Sequence, residues 1–125
     1  MNRILLIGIG GFVGSILRYG LSGLVHQTFT KTWFPVGTLI VNILGCFLIG
    51  LLGGLAENRQ VFTPEFRLLV FIGFLGGFTT FSTFMYEIFS FSRDGQFFIS
   101  FANLGMHIIL GFCSAWFGNS ISKIF

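Results

Sequence analysis

The sequence predicts an all-α membrane protein, one unit of residues 1–125 built from four transmembrane helices. Three observations predict it. Hydrophobic residues make up 54% of the chain and charged residues only 9%, with a mean hydropathy of +0.90, whereas a globular chain carries about 25% charged residues. The apolar residues fall into four runs, at about 4–26, 35–56, 64–92 and 97–121, each long enough to cross a hydrocarbon core of roughly 30 Å. Short polar stretches separate the runs, at Gln27–Trp33, Glu57–Gln60 and Ser92–Gln96.

The first run begins after Arg3 and continues past Arg18. A cleaved signal peptide is the competing reading, but no A-x-A-like site follows the apolar stretch. Gly10 and Gly14, with Gly11 beside them, form a small-xxx-small face suited to close helix contact. Arg18 must snorkel, pair or face water at this depth, so it is either an anchoring residue or the anion-attracting charge of a vestibule. In the second run Thr38, Asn42 and Gly45 share one helical face. Asn42 either bonds a neighbouring helix or lines a wet path. Trp33 suits the headgroup level and Pro35 the first turn of a helix.

The third run is the informative one. Thr63-Pro64-Glu65 reads as its helical start, with Thr63 as cap. No Asp, Glu, Lys or Arg stands between Arg67 and Glu87, yet glycines and hydroxyl pairs interrupt the centre, in G-F-L-G-G-F-T-T-F-S-T-F from Gly73 to Phe84. In hydrocarbon every backbone polar group needs an internal partner, so irregular backbone survives only where protein or a water-filled cavity covers it. The third helix is therefore expected to break near its midpoint, as helices do at membrane binding and conduction sites. Phe81 and Phe84 share a face there, as packing surface or as part of a site. The fourth run carries a mildly polar stripe of Asn103, His107, Gly111 and Ser114, and His107 reads as hydrogen-bonded packing before it reads as a proton relay.

Several function classes are excluded. A net charge of +3 without any basic run speaks against nucleic acid. Cys46 and Cys113 lie in apolar runs and read as buried thiols, without the loop-borne spacing of a disulfide framework or the clustering of a metal site. No carboxylate pair, activated nucleophile or phosphate-binding loop is present, so the chain is not expected to be an enzyme. G-I-G-G-F-V-G, from Gly8 to Gly14, looks like a dinucleotide fingerprint but lacks the strand that must precede one.

Four spans place both termini on one side. Arg3, Arg59, Arg67 and Lys123 then face Lys31, Arg93 and Arg18 across the membrane, which is almost no positive-inside bias. Copies can insert both ways up, and an antiparallel dimer becomes possible. The remaining chemistry is an uncharged polar path of Thr38, Asn42, Ser82 and Thr83, with Asn103 and Ser114. Amide and hydroxyl donors, with the positive ring edges of Phe81 and Phe84, suit a small anion. Carbonyls freed at a break suit a small cation. Residues alone leave the ion open.

The third-run motif followed by Glu87, G-T-L-I-V-N from Gly37 to Asn42, and G-x-x-x-S-x-x-R-Y from Gly11 to Tyr19 resemble the Fluc (CrcB) fluoride-channel family across all four spans. That resemblance implies a fluoride-selective channel of the cytoplasmic (inner) membrane of a bacterium, which passively exports fluoride and lowers its toxicity. It implies a dual-topology antiparallel homodimer in the lipid bilayer. Fluoride would pass Asn42, Phe81, Phe84, Ser82, Thr83 and Thr38, with Arg18 in the vestibule. A central sodium ion would be held by the backbone carbonyls of Gly76 and Thr79 from both subunits. Relatives carry a Tyr/Ser track in the fourth span, where this chain has Asn103, His107 and Gly111. Two other readings stand beside it: a dual-topology proton-coupled cation or multidrug exporter, which needs a deep carboxylate and has only Glu87, and a non-transporting assembly subunit.

Overall fold

The computed structural model describes residues 2–125, and among them the regular structure is helical throughout. Helix α1 (Arg3–Thr28) starts where the Asn2 side chain accepts from the Ile4 N–H at 3.1 Å, the usual remedy for an orphan donor at a helix start. Helix α2 (Val36–Arg59) follows Pro35, which is the residue before its first turn. Glu57, Asn58 and Arg59, expected as a connection, instead complete α2. Gln60 then stops it in the left-handed conformation (φ 51°), and the Arg67 guanidinium donates to the Ala56 carbonyl at 3.2 Å. That bond satisfies one of the carbonyls a helix end leaves free.

The third span, Pro64–Arg93, is not one regular helix. It opens with α3 (Pro64–Arg67), whose first turn is capped by Thr63 accepting from the Phe66 N–H at 3.2 Å. A π-helical stretch (Leu68–Leu75) and α4 (Gly76–Phe78) follow. Thr79 and Thr80 are extended, and α5 (Phe81–Arg93) resumes with Thr80 as its cap. Gly95 at φ 76° makes the turn into α6 (Phe97–Ser122), a conformation that glycine adopts without strain. The four spans are each long and apolar enough to cross a membrane, and the chain is a multi-pass membrane protein.

Helix α1 lies along the π-helical stretch and α4, α2 lies along α6, and α5 packs on α6. Both long contacts are backbone-close. A Cβ on Gly10 would stand 2.1 Å from the Leu69 carbonyl oxygen, and one on Gly14 would stand 2.2 Å from that of Phe74. Across the second contact, a Cβ on Gly50 would meet the Ala115 oxygen at 2.1 Å. Water drives no helix together inside a bilayer, so such close van der Waals packing is what holds these pairs. The Ser114 hydroxyl adds a bond to the Ile43 carbonyl at 3.0 Å.

The buried apolar core is small and central, with Leu39, Val41, Leu75, Phe78 and Phe84. Large apolar residues such as Phe12, Phe101 and Phe112 face outward, as hydrocarbon rather than water would require. The expectation of two buried thiols needs correcting. Cys46 is half-buried, but Cys113 is exposed on the outer face of α6, because the stripe that α6 turns toward α2 and α5 runs through Asn103, Gly111 and Gly118.

Gly10→Val should lower the unfolding midpoint of the protein in detergent sharply, since overpacking typically costs about 1–3 kcal/mol and here the neighbour is backbone. Gly23→Ala, where nothing lies within 4 Å of the new methyl, should leave it unchanged.

Candidate functional site

The extended residues Thr79 and Thr80 set a problem of unpaired amides, and α2 answers it. Asn42 Nδ2 donates to the Thr80 carbonyl at 3.0 Å, while Asn42 Oδ1 accepts from the Thr80 N–H at 2.9 Å. One carboxamide thus pairs with one peptide as a strand neighbour would. Room for it comes from Gly45, where a Cβ would stand 2.1 Å from Thr79 Cγ2. Asn42, Gly45 and Thr38 are the helical face expected from spacing, and all three meet the third span.

Capture of the Thr80 N–H by Asn42 removes the helical donor of the Gly76 carbonyl. The Thr83 N–H turns to Thr80 Oγ1 at 3.3 Å and so leaves the Thr79 carbonyl, which instead accepts from Arg18 Nη1 at 3.4 Å. Thr79 also bonds back to the Leu75 carbonyl through both its N–H and its hydroxyl. Thr80 Oγ1 donates to Thr83 Oγ1 at 3.0 Å, with Ser82 Oγ at 3.5 Å. The first turn of α5 therefore presents a hydroxyl cluster at a helix end that carries partial positive charge.

Two openings flank this junction. A groove of about 450 Å³ is lined by Asn42, Gly76, Thr79, Phe81, Phe84 and His107, and a more polar crevice of about 810 Å³ by Arg18, Thr38 and Thr83, with Thr80 lining both. The Phe81 and Phe84 rings meet edge to face, with centroids 5.8 Å apart at 68°. Phe84 is 6% exposed and Phe81 73%, so one ring is fixed in the bundle and the other stands on its surface. Ser82 is exposed on α5 and lines neither opening. Of the expected site residues, Asn42, Gly76, Thr79, Phe81 and Phe84 line the groove, Arg18, Thr38 and Thr83 line the crevice, and Ser82 lines neither.

A second polar network joins it from below. Glu87 Oε1 accepts from the Thr38 hydroxyl at 2.5 Å, and Oε2 accepts from Asn103 Nδ2 at 3.4 Å. His107 bonds the Asn103 carbonyl through Nδ1 at 3.1 Å and stacks on Phe84 with centroids 3.9 Å apart. Glu87 is a carboxylate held between α2, α5 and α6 by neutral donors. Sequence reasoning gives it no partner. It also passed over Thr80, although a threonine three residues before Thr83 at a helix restart is a capping signal.

Residues 5–119 match the family of CrcB-like protein, Camphor Resistance (CrcB). The chain belongs to the CrcB family. It is 48% identical over 121 residues to a fluoride-specific ion channel FluC of Chlorobium phaeobacteroides (strain BS1), covering 97% of this chain and 93% of that protein. It is 42% identical over 124 residues to the fluoride-specific ion channels FluC of Nitratidesulfovibrio vulgaris and Maridesulfovibrio salexigens, covering 99% of this chain and 99% and 98% of theirs. In this CrcB-family chain the deeply placed asparagine is thus tied to a peptide bond, not left free.

Asn42→Leu should strand both Thr80 backbone groups, each worth about 1–3 kcal/mol when buried and unpaired. Hydrogen exchange at the Thr80 amide should speed up in Asn42→Leu and stay slow in Asn42→Asp, which keeps the acceptor.

Proposed function

We propose that this protein is a fluoride-selective channel that lets fluoride leave the cell passively, and that the path follows Thr38, Asn42, Phe81, Ser82, Thr83 and Phe84. The arrangement that carries the reading is the edge-to-face pair of Phe81 and Phe84 directly after the extended Thr79–Thr80 segment. Full-length similarity to proteins named fluoride-specific ion channels supplies the ion.

Fluoride is small, strongly hydrated and a strong hydrogen-bond acceptor, so a path for it must replace its water with donors. Hydroxyls at the α5 start and the positive ring edges of Phe81 and Phe84 are of that kind. No Lys or Arg lines the groove, and a fixed cation there would hold fluoride too tightly for conduction, which needs sites an ion can leave. Arg18 sits in the crevice that Thr38 and Thr83 also line, where its charge raises local anion concentration. Its bond to the Thr79 carbonyl holds it there.

The working unit of this proposal is an antiparallel dual-topology homodimer in the cytoplasmic membrane, for which the open side of the groove and the weak charge bias speak. The third span acts as a helix broken at Thr79–Thr80, the single four-helix unit of residues 1–125 being the protomer. At the dimer centre the Gly76 and Thr79 carbonyls of both subunits hold a sodium ion. The residues fit that role in part. The Gly76 carbonyl has lost its helical donor to Asn42 and is a hard oxygen of the type small cations take. The Thr79 oxygen already accepts Arg18, but a carbonyl has a second lone pair. Sodium would supply fixed positive charge and order to the junction.

The exporter alternative rests on Glu87. Its oxygens are both engaged by Thr38 and Asn103, an arrangement suited to tying three helices together.

Liposomes holding the purified protein should release fluoride and retain chloride under an imposed voltage, without any proton gradient. Chloride release at a comparable rate would sink the selectivity claim. Phe81→Ile and Phe84→Ile should each slow fluoride release by about tenfold or more, the effect of roughly 1.4 kcal/mol on a barrier, with assembly intact. Exchange of sodium for a larger cation should lower the rate, and full activity in sodium-free buffer would remove the sodium site.

A further inference from the structure

We propose that the crevice between the start of α1, the end of α2 and the start of the third span seats the head group of an aminophospholipid, with its phosphodiester on Arg3 and Arg67 and its ammonium on Glu57. The site does not depend on which ion the chain passes. The crevice has a volume of about 540 Å³, and its walls include Arg3, Glu57 and Arg67 with Gly53, Phe71 and Ile72. Phe71 is the one residue it shares with the groove.

Three charges meet there without pairing. Arg3 is the first residue of α1, Glu57 stands in the last turn of α2, and Arg67 closes the first turn of the third span. All three therefore lie at the membrane end that carries both termini, at head-group level. Each is exposed. Among the described residues the one ion pair joins Arg93 to Asp94, so neither guanidinium has a counter-ion and the Glu57 carboxylate has no cation. Arg67 donates to the Ala56 carbonyl at 3.2 Å, which fixes the guanidinium and leaves its other N–H donors unspent. Guanidinium groups match phosphate oxygens bidentately, and basic pockets between transmembrane helices hold lipid head groups.

Below the charges the crevice is apolar. Gly53 stands one turn before Glu57 and Phe71 one turn after Arg67, so both lie deeper in their spans on the same helical faces. A Cβ on Gly53 would meet nothing within 4 Å, and Ile72 is 56% exposed. Charge at the mouth and open hydrocarbon beneath it are the two halves of a phospholipid. Free phosphate has no use for the lower wall. An acidic peptide entering it would strand its backbone polar groups in hydrocarbon. Glu57 narrows the head group further. Phosphatidylglycerol would satisfy both arginines but leave the carboxylate facing a second anion, and the quaternary ammonium of phosphatidylcholine has no N–H to give it. A primary ammonium beside the phosphodiester, as in phosphatidylethanolamine, answers all three charges.

The test is native mass spectrometry of the full-length protein in detergent, supplied with equal amounts of phosphatidylethanolamine, phosphatidylglycerol and phosphatidylcholine of matched acyl chains. Phosphatidylethanolamine should be retained about threefold over each of the others, a margin that one solvent-facing ion pair supplies. Glu57→Gln should erase that preference. Arg3→Gln and Gly53→Phe, the one removing a phosphate partner and the other filling the lower wall, should each lower retention of all three lipids. Arg3→Lys should keep most of it. Retention of phosphatidylglycerol at or above that of phosphatidylethanolamine would overturn the proposal, as would retention untouched by both Arg3→Gln and Gly53→Phe. Displacement of the lipid by inorganic phosphate would reassign the crevice to a free anion. Dissociation of paired chains in Arg3→Gln would reassign it to a second copy of this protein, and either result would refute the lipid seat.

Discussion

A single carboxamide bonded to a single peptide is the constraint on which the rest of this structure depends. Thr80 is extended at the centre of an apolar span, where its N–H and C=O have lost their helical partners. Leaving such groups unpaired in hydrocarbon costs several kcal/mol each. Asn42 removes that cost for both at once. For Asn42 to reach, α2 must lie against the third span, and Gly45 admits it by having no side chain where the Thr79 methyl stands. The hydroxyl cluster at the start of α5, the freed Gly76 carbonyl and the position of Phe81 all follow from the chain being held extended at this point.

Charge is kept away from the groove by the same economy. Within the third span between Arg67 and Arg93 the one formal charge is Glu87, and two neutral donors from α2 and α6 hold it. The carboxylate therefore joins three helices while its charge stays spread over hydrogen bonds. Arg18 is bound to a carbonyl at the margin. On the proposed path an anion passing Phe81 and Phe84 would meet dipoles and ring edges, which attract without the depth of an ion pair.

Local patterns made much of this legible. Hydropathy marks four spans, and the small-xxx-small spacing of Gly10 and Gly14 marks a contact that the structure places against Leu69 and Phe74. Thr38, Asn42 and Gly45 are readable as one face because helical periodicity is local. What stayed hidden is non-local or geometrical. Nothing near Glu87 in sequence names Thr38 or Asn103 as its partners, since these bonds join residues 49 and 16 apart. The π-helical turn at Leu68–Leu75 has no compositional signature, as its residues L-L-V-F-I-G-F-L suit an α-helix equally well. Cys113 was misplaced because an all-apolar helix hides which side faces out. The partner of His107, a backbone carbonyl one turn earlier, is implicit in the i, i+4 spacing, whereas its stacking on Phe84 required the fold.

The wall beside Phe81 has no cover of its own. Phe81 is 73% exposed, and Gly76 would admit a side chain with nothing within 4 Å of its Cβ. In the proposed antiparallel dimer such a trough is half of a conduit, and the other half is drawn from a two-dimensional solution. The lipid would then be the diluent, and closed conduits would become scarcer faster than chains do as membrane area grows. Expression level and bilayer area, quantities outside any single fold, would thereby enter the physics of how much ion the proposed channel passes.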